Sequence, residues 1–98
     1  MSNPENTARD INNALAKHDP RVSVAWAYGV DAGRDPVGFA VYLDGDDTPF
    51  SIEDNGSRFA IDEQGVGELA RFARPDRVAV ALVEFIKSWV AETHEKEA

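Results

Sequence analysis

Two stretches in the first half of the chain alternate between bulky apolar residues and very small ones. The bulky side chains of residues 21–30 occupy every second position: Val22, Val24, Trp26, Tyr28 and Val30. The small ones occupy the positions between them: Ser23, Ala25, Ala27 and Gly29. Successive side chains of a strand point to opposite faces, so the pattern predicts a strand with one heavy face and one nearly bare face.

Residues 37–43 repeat this alternation after a loop over residues 31–36. The heavy positions are Val37, Phe39, Val41 and Leu43, and the positions between them are Gly38, Ala40 and Tyr42. We therefore expect two neighbouring antiparallel strands whose heavy faces are covered by helices. The bare face is then left open to solvent or to a partner.

An acidic stretch, DGDDTPFSIEDNGS, occupies residues 44–57. It is interpreted as a turn over residues 44–47, a strand over residues 48–53 and a type I′ hairpin turn at Asn55-Gly56. Pro49 has no backbone N–H, which predicts a strand at the edge of the sheet. Folding about Asn55-Gly56 predicts three cross-strand pairs: Glu53 with Arg58, Ile52 with Phe59, and Phe50 with Ile61.

Helices are predicted on both sides of the strands. Asn3-Pro4-Glu5 is typical of a helix start, and Asp19-Pro20 ends that helix. Residues 66–73 suggest a short helix that ends before Pro75. A last helix, capped by Asp76, has apolar residues at helical spacing. They are Ala79, Leu82, Val83, Ile86, Trp89 and Val90.

These elements predict a single α+β domain over residues 1–98, with a frayed tail at residues 93–98. The expected architecture is a four-stranded antiparallel meander in the order α-β-β-β-β-α-α, with the first and last helices on its heavy face. Six side chains are expected to be largely buried: Trp26, Phe39, Val41, Leu82, Ile86 and Trp89.

The composition and the motifs argue against several kinds of metal site and catalytic site. The chain has no Cys and two His, which favours a reducing cytoplasm and predicts no zinc site or other cofactor. The acidic stretch fails as a calcium loop, because Pro49 and Asn55 stand where Gly and Glu are required. Ser51 and Ser57 lack the context of a catalytic nucleophile. The first ten residues lack an apolar segment, so no signal peptide is expected, and we expect no enzymatic activity.

Charge is the most distinctive property of the chain. The formal net charge is −8, and residues 44–63 carry seven acids against Arg58 alone. Such a field repels nucleic acid and anionic membranes and attracts basic protein surfaces. The alternative interpretation is that the acidity serves solubility or salt adaptation. Arg71, Arg74 and Arg77 are interpreted either as a small anion or nucleic-acid patch, or as side chains that offset the acidic hairpin or are simply solvated.

The acidic cluster on a compact sheet-and-helix domain resembles small inhibitor proteins of phages and mobile elements, including anti-CRISPR and anti-restriction proteins. The resemblance covers size, charge and architecture, and it implies an inhibitor or adaptor that docks on a basic surface of a nucleic-acid-handling protein. The expected binding residues are Asp44, Asp46, Asp47, Glu53 and Asp54. The alternative is a structural or accessory subunit, such as a homodimer, that associates through the open sheet face or edge.

Overall fold

The structure is a computed structural model that describes the backbone of residues 3–97 and the side chains of residues 3–93. Helix α1 spans Pro4–Ala16 and helix α2 spans Pro75–Glu97. Five strands lie between them: β1 Val22–Tyr28, β2 Val37–Leu43, β3 Asp46–Asp54, β4 Phe59–Glu63 and β5 Gly67–Phe72. They form one antiparallel sheet in the order β1-β2-β3-β4-β5, and both helices pack on its heavy face.

The α+β class and the antiparallel meander are confirmed, but the sheet has five strands and the described residues form two helices. The predicted short helix over residues 66–73 is wrong, because its residues belong to β5. Gly65 and Gly67 adopt φ of 85° and 108°, in the left-handed region that glycine tolerates, and the chain reverses there to pair with β4. Leu69 is an extra residue of β5 in this pairing and forms a β-bulge. The extra residue interrupts the alternation of the strand, so the apolar side chains of β5 have a spacing that also fits a helix.

Helix α1 begins as predicted. The Asn3 side chain accepts a hydrogen bond of 2.9 Å from the Glu5 backbone N–H, and Pro4 occupies the first helical position. The apolar stripe of the helix, Ala8, Ile11 and Leu15, is buried against the sheet and α2.

The heavy face of β1 is shorter than its sequence suggests. The pairing with β2 shifts between Trp26 and Tyr28, so that Ala27 is an extra residue and Tyr28 lies opposite Gly38 on the bare side. The prediction that Tyr28 shares a face with Val24 is therefore wrong. Trp26 stays on the heavy side, but it lies near the end of the strand and is 42% exposed, so its predicted burial is also wrong.

Strand β3 is the central strand of the sheet, so the prediction of an edge strand is wrong. Pro49 is accommodated by an irregularity between β2 and β3. Ala40 pairs with Ser51 and Tyr42 with Asp47, which leaves three residues of β3 opposite one residue of β2. A proline at such a bulge costs no regular ladder hydrogen bond. β3 can therefore lie between β2 and β4 although it contains Pro49.

The hairpin between β3 and β4 has a different register from the one predicted. Ile52 pairs with Ile61 and Asp54 with Phe59, which makes the connection four residues long, from Asn55 to Arg58. The three predicted pairs are displaced by two residues. A shift of two keeps every side chain on its face, so the inward-facing apolar side chains of both strands are still buried. They are Phe50, Ile52, Phe59 and Ile61.

Helix α2 places its predicted apolar stripe in the core. Ala79, Leu82, Val83 and Ile86 are buried, and Trp89 and Val90 are partly buried against the same cluster. Its solvent side carries Glu84, Lys87, Ser88 and Glu92, all exposed. The backbone remains helical through most of the predicted tail, to Glu97, while Ala98 lies outside the described residues.

Candidate binding surface

The acids predicted to form one binding cluster lie at opposite ends of β3. Asp44, Asp46 and Asp47 lie at the turn that enters the strand, whereas Glu53 and Asp54 lie where it ends. Asp47 pairs with Tyr42 of β2 and Glu53 with Gly38, four residues apart along β2, which separates the two acids by roughly 13 Å. The structure therefore does not bring all five side chains together.

The turn between β2 and β3 consists of Asp44 and Gly45. Their φ values of 52° and 82° are both positive, as in a type I′ turn, so this turn type occurs here rather than at Asn55-Gly56. The Asp44 backbone N–H also donates to the Arg21 carbonyl at 2.8 Å. Asp44, Asp46 and Asp47 are all exposed, as expected.

Asp54 does not face solvent. It lies on the heavy side of β3, next to Ile52, and is only 7% exposed. Its Oδ1 accepts a hydrogen bond of 2.9 Å from the Gly56 backbone N–H and so holds the turn that follows. Asp54 was expected among the binding residues, which have to be exposed, and its burial contradicts that role. It lies two residues after the core residue Ile52, so both side chains point to the same face.

Glu53 lies on the bare side of the sheet beside Tyr28. The Tyr28 hydroxyl donates a long hydrogen bond of 3.4 Å to Glu53 Oε2. The Tyr28 ring lies directly over Gly38, where a Cβ atom would come within 2.0 Å of the ring. Partial burial raises the pKa of the Tyr28 hydroxyl, and the nearby carboxylates of Glu53 and Asp62 raise it further.

We use the name "open face" for the side of the sheet that neither described helix covers. The strand pairing places its residues in three cross-strand rows. One row is Ser23, Tyr42 and Asp47, the second is Ala25, Ala40, Ser51, Asp62 and Glu68, and the third is Tyr28, Gly38, Glu53, Ala60 and Arg71. Most of its central positions carry very small side chains.

The open face was anticipated in part from the sequence. The small residues of β1 and β2 identify it, and Asp62 could have been assigned to it because it alternates with the buried Ile61. Tyr28 and Glu68 were missed. Both positions follow from bulges, at Ala27 and Leu69, that only the strand pairing shows.

Two of the three arginines considered as an anion patch pair with acids. The Arg71 Nε donates to both Glu68 carboxylate oxygens at 2.8 Å, and the Arg74 Nε lies 3.2 Å from an oxygen of Asp76. Both partners lie outside residues 44–63, so these pairs are not the offset to the acidic stretch that one interpretation predicted. Because the pairs are exposed, their effect on stability is small.

Among the residues that the structure describes, no group of three or more His, Asp or Glu side chains is arranged to hold a metal ion. His18 is exposed after the end of α1. Within the same described part of the chain, neither helix combines the length and the apolar character needed to cross a membrane. No protein-family model matches the chain, and neither a curated protein nor a solved structure is significantly similar to it.

Proposed function

We propose that this protein is a non-enzymatic binding module, an inhibitor or adaptor that docks its open face on a basic surface of a partner protein. One observation carries the proposal. The strand residues of the open face include four acids, Asp47, Glu53, Asp62 and Glu68, but a single cationic residue, Arg71. Arg71 already pairs with Glu68 at 2.8 Å, so it does not offset the other three acids. The net charge of the open face is therefore strongly negative.

The shape of the open face also suits docking. Its centre is built from Ala25, Ala40 and Ser51, whose small side chains let another surface approach the sheet backbone closely. Tyr28 and Tyr42 stand at two ends of this floor. Tyrosine offers a large apolar ring with a polar end and is enriched in protein interfaces. Tyr28 is also held in place over Gly38, which lowers the entropy lost on binding.

The charge of the face favours one class of partner. Negative potential repels phosphate backbones and anionic lipid surfaces and speeds the approach of basic proteins. Proteins that handle nucleic acid carry basic grooves for phosphate contacts, so they are the partner class that we propose. The resemblance in size and acidity to phage-encoded inhibitors supports the same choice. Asp44 and Asp46, at the β2–β3 turn, would extend the negative surface beyond the face.

The alternative function is a structural or accessory subunit that forms a homodimer. Two open faces placed against each other would bring acids close to acids, which disfavours self-association through this surface. An edge contact is favoured at β5 over β1, because the Asn12 side chain occupies the outer edge of β1 at Val24. A mass measurement in solution separates the two functions, since a tight dimer supports the accessory subunit.

The proposal is tested with two variants of equal charge. The first neutralises the open face through Glu53→Gln, Asp62→Asn and Glu68→Gln. The matched control neutralises three exposed acids on the helix side, through Asp10→Asn, Glu84→Gln and Glu92→Gln. Each changes the formal net charge by the same amount. Partners captured from a lysate of the source organism are identified by mass spectrometry, and their affinities are measured with purified protein at several salt concentrations.

We expect a basic partner whose affinity falls with rising salt and falls further with the open-face variant, while the helix-side control binds like the wild type. Equal losses of affinity for the two variants would show that only the net charge of the protein matters for binding. Unchanged binding in the open-face variant would refute the proposal. A third variant, with Asp44, Asp46 and Asp47 changed to Asn, then shows whether the turn acids contribute.

A further inference from the structure

A cleft of about 490 Å³ lies at the end of the sheet, between the β2–β3 turn and the C-terminal half of α2. It is on the helix side and is therefore separate from the open face. Leu43 closes one side, and Trp89 and Val90 of α2 close the other. Sites for small ligands have volumes of roughly 300 to 1,000 Å³ and combine apolar walls with a few polar groups. This cleft fits both criteria.

The apolar side chains that line the cleft are accessible to a ligand, and the Trp89 ring among them is fixed in place. Leu43, Trp89 and Val90 are each only partly buried, so they present apolar surface to the cleft. The Trp89 ring is fixed edge-to-face against Phe50, with ring centroids 6.0 Å apart and an interplanar angle of 88°. A ligand that packs on this indole does not have to order it first, which favours binding.

Among the side chains that the structure describes, the charged lining of the cleft is formed by Arg21, Lys87 and Asp44. The Arg21 Nε and Nη2 donate to the buried Asp19 at 3.0 and 2.9 Å, which leaves the other guanidinium N–H groups available. The Lys87 Nζ lies 3.7 Å from Glu84 Oε1, too far for a good hydrogen bond, so the ammonium donors are also available. Arg21 and Lys87 thus each offer unused N–H donors to the cleft, while each also lies beside a carboxylate, Asp19 or Glu84.

We propose that this cleft binds a small amphiphilic anion, a monocarboxylate with an aliphatic or aromatic body. The apolar body packs on Leu43, Trp89 and Val90, and the carboxylate accepts hydrogen bonds from Lys87 and Arg21. The carboxylate of Asp44 disfavours a second negative charge on the ligand, which restricts the site to monoanions. The inference does not rest on the proposed protein partner, because the cleft and the open face lie on opposite sides of the sheet and share only Asp44, at the β2–β3 turn.

The test uses decanoate as the probe and decylammonium as its counterpart with the same chain and opposite charge. Binding to the wild-type protein is followed by two-dimensional NMR, which reports both the affinity and the residues affected. We expect decanoate to shift the signals of Leu43, Lys87, Trp89 and Val90 with saturation, and decylammonium to bind more weakly at this site. Equal binding of the two probes, shifts located elsewhere, or no saturable shift at millimolar decanoate would overturn the proposal.

Two substitutions change the lining charge in opposite directions. Lys87→Gln removes a charged hydrogen-bond donor and should weaken decanoate binding about tenfold. Asp44→Asn removes a repulsive carboxylate and should strengthen it. The control is Lys17→Gln, which removes a lysine at the end of α1 outside the cleft. If Lys87→Gln and Lys17→Gln bind decanoate equally, the carboxylate is not held by the proposed residues.

Discussion

The side-chain amide of Asn12 forms hydrogen bonds with both backbone polar groups of Val24. Its Oδ1 accepts from the Val24 N–H at 2.8 Å, and its Nδ2 donates to the Val24 carbonyl at 3.0 Å. Because β1 is an outer strand, these groups would otherwise be free to pair with another chain. A residue of α1 thus both fixes the helix to the sheet and blocks the edge of β1.

Replacing Asn12 with Ala should lower the free energy of unfolding by about 1 to 3 kcal/mol, since two partly buried hydrogen bonds are lost. The adjacent Asn13→Ala is the control, because Asn13 is exposed. Urea denaturation of both variants provides the measurement. Similar midpoints for the two variants would show that the Asn12 contacts do not stabilise the fold.

Gly38 is required beneath the Tyr28 ring. Gly38→Ala would place a Cβ atom 2.0 Å from Tyr28 Cε1, so the ring must move off the open face. We expect a loss of about 1 to 3 kcal/mol, typical of overpacking. In a Tyr28→Ala background the same substitution should cost much less, and this double-mutant cycle separates the ring clash from other effects. An equal cost in both backgrounds would contradict the contact.

Trp89 should matter more for stability than Trp26. Trp89 packs against the core and contacts Phe50, whereas Trp26 is 42% exposed. We expect Trp89→Ala to lower the free energy of unfolding by about 3 kcal/mol and Trp26→Ala by about 1 kcal/mol. Thermal denaturation ranks the two variants. Iodide should quench the fluorescence of Trp26 more strongly than that of Trp89, and the reverse order would contradict the described burial.

The Asp19–Arg21 pair should make stability depend on pH in the acidic range. The side-chain hydrogen bonds from Arg21 lower the pKa of Asp19 below its ordinary value of 3.8. The folded state therefore favours the ionised carboxylate, so the contribution is present above that value and is lost as pH falls through the lower folded-state pKa. Denaturation of wild type and Arg21→Gln between pH 2 and 6 tests this. The variant should lose less stability on acidification, and parallel profiles would refute the assignment.

The sequence by itself determined which faces of the first two strands and of the two helices are apolar. Alternation in residues 21–30 and 37–43 identified β1, β2 and the bare side of the sheet, and the apolar stripes identified both helices. The capping of α1 by Asn3 was also predictable, because it depends on residues within one turn. These features depend on neighbours in sequence, so local chemistry is sufficient to fix them.

Only the tertiary structure decided the register of the strand pairs and the positions of the β-bulges. Pairing with β4 made residues 67–72 a strand although their apolar spacing also fits a helix, and the bulge at Ala27 moved Tyr28 to the open face. The central position of β3 follows from the same network of pairing. Hydrogen bonds between strands are made by backbone groups that every residue carries, so their partners are selected by the packing of the whole sheet.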